Sequence, residues 1–503
     1  MFDFMRELLT IDASREVANF GNVKLLLDRI REHNLYPRML TIEEDVNEPE
    51  CVADGVRLLQ FGANNYLSLS DNPEVKAAAI RAIEEFGVGP GGSRLMSGNV
   101  TVIEEAERRI ANLVGMEDCL TFPTGYMANV TVFKTLMNPF LGRLPYRRSE
   151  GAIFVDEYVH GSIIDGCELS RARLVKFKHN DLEDLRGKLE GHEAASNKLI
   201  VTEGVYCLEG EIIDIPAYAE VARTYGAKLM VDDAHAVGVI GSRGGGSPDY
   251  HGCADGIDVL MGCMDKAMGG TGGYLCGSKT LIDFLRIGAN ASVLSSALTC
   301  SMAGAMIAAI DLIESGQELR ADLRRKARYL KQGLRGTGLT VLGPDDIPSV
   351  PLFIGDEGLG MAFAEDLREK GIFCPVMRWP AVPIGRSRLR LSLMARHEQA
   401  HLDRLIAACR ETGRELGILE NSGLRLDGGP LFSENIDKRM KTYLQVEEGQ
   451  EADPKVPPFL SRISGDQAEA VLPGEAEQSF SGRGRTGDHE QSAVSQELPR
   501  LAE

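Results

Sequence analysis

The sequence predicts an α/β fold built on a mainly parallel sheet with helices on both faces, and two patterns predict it. Between about residues 57 and 310, short apolar runs rich in Val, Ile and Leu alternate with helix-length stretches, as expected for strands buried on both sides by their own crossover helices. Several runs end in polar residues, here Glu203, Asp232 and Asp233, at the strand ends where an open α/β sheet holds its ligand.

The elements follow in chain order. Residues 1 to about 45 read as a polar helical arm, with Leu25, Leu26, Leu27, Ile30 and Leu35 at roughly helical spacing. Asp71 or Asn72 can cap a helix with Pro73 near its first position, and Thr101 with Glu104 forms a capping box for a helix that Gly115 ends. AIFVDEY, RLVKFK, KLIVTEG, KLMVDDA, IDVLMG and GGYLCG are the strand candidates. After two further helical stretches, VPLFIG and RLRLSL are strands of a smaller α+β domain that ends in HEQAHLDRLIAACRETGREL. The expected division is an arm over 1–56, a large domain over 57–310, the α+β domain over 311–418 and an acidic tail over 419–503. Beyond residue 445 the tail has the composition of disorder.

Composition excludes several functions. The chain has 503 residues, 43% apolar and 26% charged, and its formal charge of −19 opposes binding to a nucleic-acid backbone. Ten cysteines are scattered singly, without a CxxC pair, which suits reduced thiols in a cytoplasmic protein. The sequence has no apolar run long enough for a transmembrane segment, and Asp3, Arg6, Glu7 and Asp12 interrupt the start where a signal peptide needs an apolar stretch.

Chemistry concentrates in GCMDKAMGGTGGYLCG, where Lys266 follows an apolar strand and precedes a glycine-rich turn. A lysine held there suits an amine that must lose its proton to act as a nucleophile, although in isolation it equally fits a surface hairpin. In KLMVDDAHAVGVIG, Asp232 ends a buried strand and His235 follows on the loop; a carboxylate at that depth needs a cationic partner such as a protonated ring nitrogen. Thr124, Gly125 and Tyr126 lie between a strand and a helix, where free amides can bind phosphate. His160 stands just past another strand end, with a flat face that can lie against a ring.

GGSRLMSGN, FPTGYMAN, HGSIIDG, TEGVYCLEG, VDDAHAVGV, DKAMGGTGGY and RWPAVPIGRSRLRLSL, in this order, resemble the α-oxoamine synthases. These are fold-type-I pyridoxal-phosphate (PLP) enzymes with a seven-stranded, mainly parallel sheet. The resemblance covers residues 45 to 415. It implies that Lys266 carries the cofactor and moves protons at the substrate α-carbon, and that Asp232 pairs with the pyridine nitrogen. His160 would stack on the ring and His235 approach its phenolic oxygen. Thr124, Gly125, Tyr126, Glu203, Cys207, Cys263 and Ser295 fall at cofactor-contact positions, Ser295 reaching the neighbour's phosphate across a homodimer interface. Arg390, Arg378 and Asn65 (or Asn64) match groups that hold the substrate carboxylate. The implied reaction is decarboxylative condensation of glycine, serine or alanine with an acyl thioester of coenzyme A or an acyl carrier protein. TEGVYCLEG and Arg378 lean toward the serine palmitoyltransferases of sphingolipid synthesis.

Departures from the family pattern are Asp265 before the lysine, Cys263 for Thr, Cys207 for Ser, Thr299–Cys300 for Pro-Pro and Ile103 for His. They bear on substrate identity, cofactor affinity and rate. They also motivate a rival, a non-catalytic partner subunit, against which the five residues Lys266, Asp232, His160, His235 and Arg390 argue. A second rival keeps the cofactor but runs transamination or aldol cleavage. A third reads His397-Glu398-Gln399-Ala400-His401 as HExxH, a zinc pattern, against the reading of a plain surface helix and no metal. Arg143, Arg147 and Arg148, within residues 137 to 150, could meet an anionic carrier.

Overall fold

Alternation of side chains along each strand builds two cores, one on each face of the central sheet. Ile153, Val155, Leu199, Val201, Met230 and Met261 bury into one, and their neighbours Phe154, Ile200, Leu229, Val231 and Leu260 into the other, as a period of two requires. The protein is described here from a computed structural model over residues 27, 28, 31, 39–138 and 151–419. Most of the arm, the basic residues at 143, 147 and 148 and the tail past 419 lie outside them.

The sheet has seven strands: β1 (Asp118–Phe122), β2 (Ala152–Asp156), β3 (Arg173–Phe177), β4 (Lys198–Glu203), β5 (Lys228–Asp232), β6 (Val259–Cys263) and β7 (Gly273–Gly277). Their spatial order is β1-β7-β6-β5-β4-β2-β3. From β6 to β3 all pairings are parallel, and β7 alone runs antiparallel to both its neighbours. The six strand candidates and the mainly parallel arrangement are therefore found as expected. Register places Asp232 beside Glu203 and Met261, so the ends of β4, β5 and β6 open at one edge.

Two further sheets flank this one. Thr340–Val341, Ser349–Gly355, Ser387–Ser392 and Val376–Met377 form an antiparallel sheet. The other joins Ile42–Glu44, Glu50–Ala53 and Val56–Gln60 to Ile372–Phe373. The helical reading of the arm does not hold at 42–44, which form a strand, nor at 50–53, where Cys51 and Ala53 turn into the core while alternate residues are less buried, a strand pattern too short to stand out in the sequence.

Local chemistry sets the helix ends. Asn72 caps Pro73–Phe86 by accepting from the Glu74 and Val75 amides. The expected capping box at Thr101 is absent. Thr101 is already the first helical residue, the cap is Val100 without a side-chain bond, and Glu104 instead accepts from Asn99 Nδ2 at 2.6 Å. Gly115 closes this helix in the left-handed region at φ 74°.

HExxH straddles a helix start. Gln399–Glu415 is the helix, Glu398 its cap, and His401 accepts from the Glu398 amide at 3.0 Å. His397 lies before the helix, fully buried and stacked on Phe61 at 4.4 Å, with Nδ1 accepting from the Met394 amide and Nε2 beside the Gln60 carbonyl. Burial pulls it down to about 4. The two imidazoles brace the chain around the helix start, and no metal-ligand cluster occurs among the described residues.

A buried ion pair braces the sheet edge. Glu107 accepts from the Arg94 guanidinium, from the Thr121 amide at 2.8 Å and from Thr121 Oγ1 at 2.9 Å. Arg94 also reaches Asn99 Oδ1 at 2.8 and 2.9 Å, which locks the SRLMSGN loop against β1. Removing one partner strands the other charge, so Glu107→Gln is expected to cost about 3 kcal/mol, read as a lower midpoint in urea unfolding.

Candidate active site

The turn between β6 and β7 is folded by its own backbone. Met264 N donates to Gly272 O, Gly269 N to Lys266 O and Gly270 N to Met264 O, at 2.8–3.0 Å. Gly269 sits at φ +72°, and a Cβ there would meet the Ser70 amide at 2.4 Å, so only glycine fits. The turn holds Lys266 with its side chain 12% exposed and Nζ 3.4 Å from Asp265 Oδ1. Burial works against the ammonium, yet it stands above the ordinary lysine value, held at neutral pH by the carboxylates Asp265 and Asp232; Cys263 and Tyr66 add to this only where they ionise. Burial itself pushes Cys263 up to about 12 and Cys207 up to about 11, so both are neutral thiols at neutral pH.

Asp232, at the buried end of β5, accepts from Asn129 Nδ2 at 2.9 Å and from the Ala234 amide at 3.1 Å. Both donors are neutral, and no ion pair to it occurs among the described side chains. Next to it, Glu203 accepts the His160 amide at 2.8 Å; burial, then Asp232, holds its carboxyl well above the usual range. His160 caps the helix Gly161–Ser170 and its ring is held by Ser162 Oγ at 2.7 Å, leaving the residue exposed at the strand edge. His235 is pushed well below its ordinary value by burial first, then by Lys266, Arg390 and His160. Its Nδ1 lies 2.8 Å from the Tyr66 hydroxyl. Burial raises the Tyr66 phenol, so it keeps its proton.

Thr124 caps the helix Gly125–Met137 by accepting from Met127 N at 3.1 Å. This leaves the Gly125 and Tyr126 amides without an intrahelical acceptor. Gly125 packs so tightly that a Cβ would come within 2.2 Å of Cys263 Sγ, which brings the helix start to the end of β6. Tyr126 points outward and donates to Asp165.

Arg390 lies on the strand Ser387–Ser392, with Nη2 3.4 Å from the Gly62 carbonyl and a buried Nε that no described atom satisfies. Asn65 is buried; its Oδ1 accepts from Ser70 N at 3.3 Å, and neither its Nδ2 nor Asn64 Oδ1 finds a partner among the described residues. Cys207 follows a short strand, Val205–Tyr206, and its carbonyl accepts from Ser349 Oγ at 2.5 Å.

The structure therefore gathers Lys266, Asp232, His235, His160, Glu203, Cys207, Cys263 and Arg390 into one electrostatically coupled cluster. Arg378 and Ser295 are not brought into it. Arg378 is half-buried near Glu357 with Nη1 3.4 Å from the Trp379 carbonyl, and Ser295 closes the short helix Asn290–Leu294. Sequence reasoning missed Tyr66 and Asn129. Tyr66 stands next to Asn65 and Asn129 ends FPTGYMAN, both already singled out, but nothing local marks a tyrosine or asparagine that finds its partner 169 or 103 residues away.

Three features fit PLP: a buried carboxylate with no ion-pair partner among the described residues, paired amides without intrahelical acceptors at a helix start, and a mostly buried lysine in the same cluster as the carboxylate. A ring N–H⁺, a phosphate and an aldehyde satisfy them in turn.

Comparison with known proteins agrees. Residues 56–408 match the family described as aminotransferase class I and II. An 8-amino-7-oxononanoate synthase from Geotalea daltonii is 39% identical over 395 residues, 78% of this chain and 98% of that protein. One from Geobacter sulfurreducens is 38% identical with the same coverage. Among solved structures, a serine palmitoyltransferase variant from S. paucimobilis with a bound PLP–myriocin aldimine has a TM-score of 0.74 at 28% identity, covering 80% of this chain and 99% of that one. The sequence relatives are thus named for a different product from the serine palmitoyltransferases toward which the sequence motifs leaned.

Proposed function

The chain belongs to the α-oxoamine synthases, within the class I and II aminotransferase family, and on that premise we propose that its substrates are alanine and a seven-carbon ω-carboxyacyl thioester. It is a PLP-dependent acyltransferase of fold type I that joins an α-amino acid to an acyl thioester, releasing CO2 and thiol. The product named by its relatives supports the finer choice. In 8-amino-7-oxononanoate, the methyl and amine-bearing carbons are those that alanine leaves after losing its carboxyl, and the remaining seven carbons are the acyl group. Serine, and with it a role in sphingolipid synthesis, is the second reading, supported by the serine palmitoyltransferase neighbours at 28% identity.

When bound, PLP supplies a protonated ring that accepts the electron pair left at the substrate α-carbon. This chain's residues do the rest. Lys266 Nζ would hold the cofactor, then take and return the proton at Cα. Asp232 would keep the pyridine nitrogen protonated, itself oriented by Asn129. The amides of Gly125 and Tyr126 and the cap Thr124 would hold the phosphate, with Cys263 beneath them and Glu203 fixing the turn that presents His160 to the ring face. His235 is neutral; with the Tyr66 hydroxyl donating into its Nδ1, Nε2 would carry the ring proton and would donate to the phenolic oxygen. The fork of Arg390, with Asn65, would receive the substrate carboxylate; Arg378 would join them during condensation. Cys207 would be a weak hydrogen-bond partner where a hydroxyl is usual. The single observation that carries this assignment is the buried carboxylate of Asp232, which has no ion-pair partner among the described residues and lies in the same cluster as Lys266.

A homodimer is typical of the family, and surface composition supports one here. Met96 and Leu294 are 80% and 79% exposed, and Leu95 and Ile287 54% and 56%. Ser295, next to Leu294, would reach the partner's phosphate. Whether coenzyme A or an acyl carrier protein brings the acyl group, the chemistry is the same. A cytoplasmic location is supported by ten singly scattered cysteines, which suit reduced thiols; no described helix is long and apolar enough to cross a membrane.

The test is to incubate the purified chain with PLP, alanine, serine or glycine, and thioesters with and without a terminal carboxylate. Alanine with the ω-carboxyl thioester should release thiol and CO2 in equal amounts, at least about tenfold faster than serine, the size of discrimination one small group provides. Keto-acid formation without thiol release would point to transamination instead.

A further inference from the structure

Six titratable groups face Lys266 Nζ: Cys263 and Asp265 from its own turn, Asp232 from β5, His235 from the loop after it, Tyr66 from the segment after Val56–Gln60, and Cys207 from the hairpin after β4. Asp232 and Tyr66 are buried, His235 is neutral, and the two thiols keep their protons at neutral pH. Asp265 differs from all of them. Its side chain is 48% exposed while one oxygen stands 3.4 Å from Nζ. It is the carboxylate in this set that touches both the amine and bulk water; Cys263, partly buried and also hydrogen-bonded to Lys266, keeps its proton at neutral pH and cannot accept another.

We propose that Asp265 is the proton-exchange partner of Lys266, holding the ε-ammonium in the cofactor-free chain and passing its proton to solvent when the free amine is needed. One N–H bond breaks with its electron pair left on nitrogen, the proton goes to a carboxylate oxygen, and from there to water. No oxidant or further reactant is involved. The inference rests on the proposed role of Lys266 but deepens it, because it assigns the control of that amine's protonation to a neighbouring, solvent-facing residue. A carboxylate in this place both delays capture of an aldehyde, by favouring the ammonium, and speeds equilibration of the proton once the amine is released.

The experiment uses the full chain freed of PLP, labelled briefly with acetic anhydride at neutral pH, and reads acetylation of the Lys266 peptide by mass spectrometry against the other lysines. Only the neutral amine reacts. An opposite charge at this distance shifts a pKa by about one unit when half-exposed, so Asp265→Asn should acetylate about tenfold faster, and Asp265→Glu should stay near the parent. PLP capture, followed by absorbance, should accelerate in Asp265→Asn by a similar factor. On the unaltered chain, raising salt from about 0.05 to about 1 M screens a half-exposed pair but not a buried one, and should speed Lys266 acetylation several-fold; this arm needs no variant to fold. Equal rates in parent and Asp265→Asn, or a parent rate indifferent to salt, overturn the proposal. Neither readout requires turnover, so a chain that fails to condense any thioester yet shows both effects refutes the proposed reaction and leaves the role of Asp265 standing.

Discussion

Lys266→Ala is expected to abolish condensation, lowering kcat/KM by more than about 10^3, or about 4 kcal/mol of transition-state stabilisation. The variant should also lose the covalent label: borohydride treatment of the PLP-loaded parent should leave a reduced adduct on the Lys266 peptide, and the variant should leave none. Folding should survive. The turn is closed by backbone bonds among Met264, Lys266, Gly269, Gly270 and Gly272 that an alanine retains, and the side chain's partners are a neutral thiol, Cys263, and half-exposed Asp265, an ion pair worth about 1 kcal/mol or less. A folded variant that still forms amino ketone at more than about a tenth of the parent rate would remove Lys266 from the mechanism, and with it the rest of the proposed site.

Most of the cluster was legible from the sequence because its members stand at strand ends, and strand ends follow from apolar runs. Lys266, Asp232, Glu203 and His160 each follow such a run directly, and parallel pairing of β4, β5 and β6 brings the ends together. What was not legible is lateral. Asn129 sits one turn inside a helix, and only the docking of that helix, set by Gly125 against Cys263, aims its amide at Asp232. Tyr66 is placed by a loop whose path depends on the parallel pairing of Val56–Gln60 with Ile372–Phe373, a contact between segments more than 300 residues apart. The capping box failed for a local reason: Asn99 competes for the Glu104 carboxylate, and helix start signals are uncertain by a residue when two polar groups can serve. HExxH failed because helical spacing alone does not say where the helix begins.

Asp232→Asn separates charge from shape at the other end of the proposed cofactor. An asparagine keeps the acceptor for the Ala234 amide, and its new N–H2 can meet Asn129 if that side chain flips. Asn129 has the means to do so, since its Oδ1 is buried without a described partner. Little fold stability should therefore be lost, and PLP should still be captured on Lys266. The charge is what disappears. A carboxylate hydrogen-bonded to a ring nitrogen in a water-poor site raises that nitrogen's pKa by as much as about three units; a neutral amide raises it hardly at all. The protonated fraction of the ring, and with it the capacity to accept the α-carbon electron pair, should fall by up to about 10^3, and kcat should fall with it while KM for the amino acid changes little. The pattern of retained covalent label with lost turnover is opposite to that of Lys266→Ala, where both vanish together. A kcat within about threefold of the parent would mean that Asp232 does not face the ring nitrogen, and its burial beside Glu203, Asn129 and Lys266 would then need another explanation.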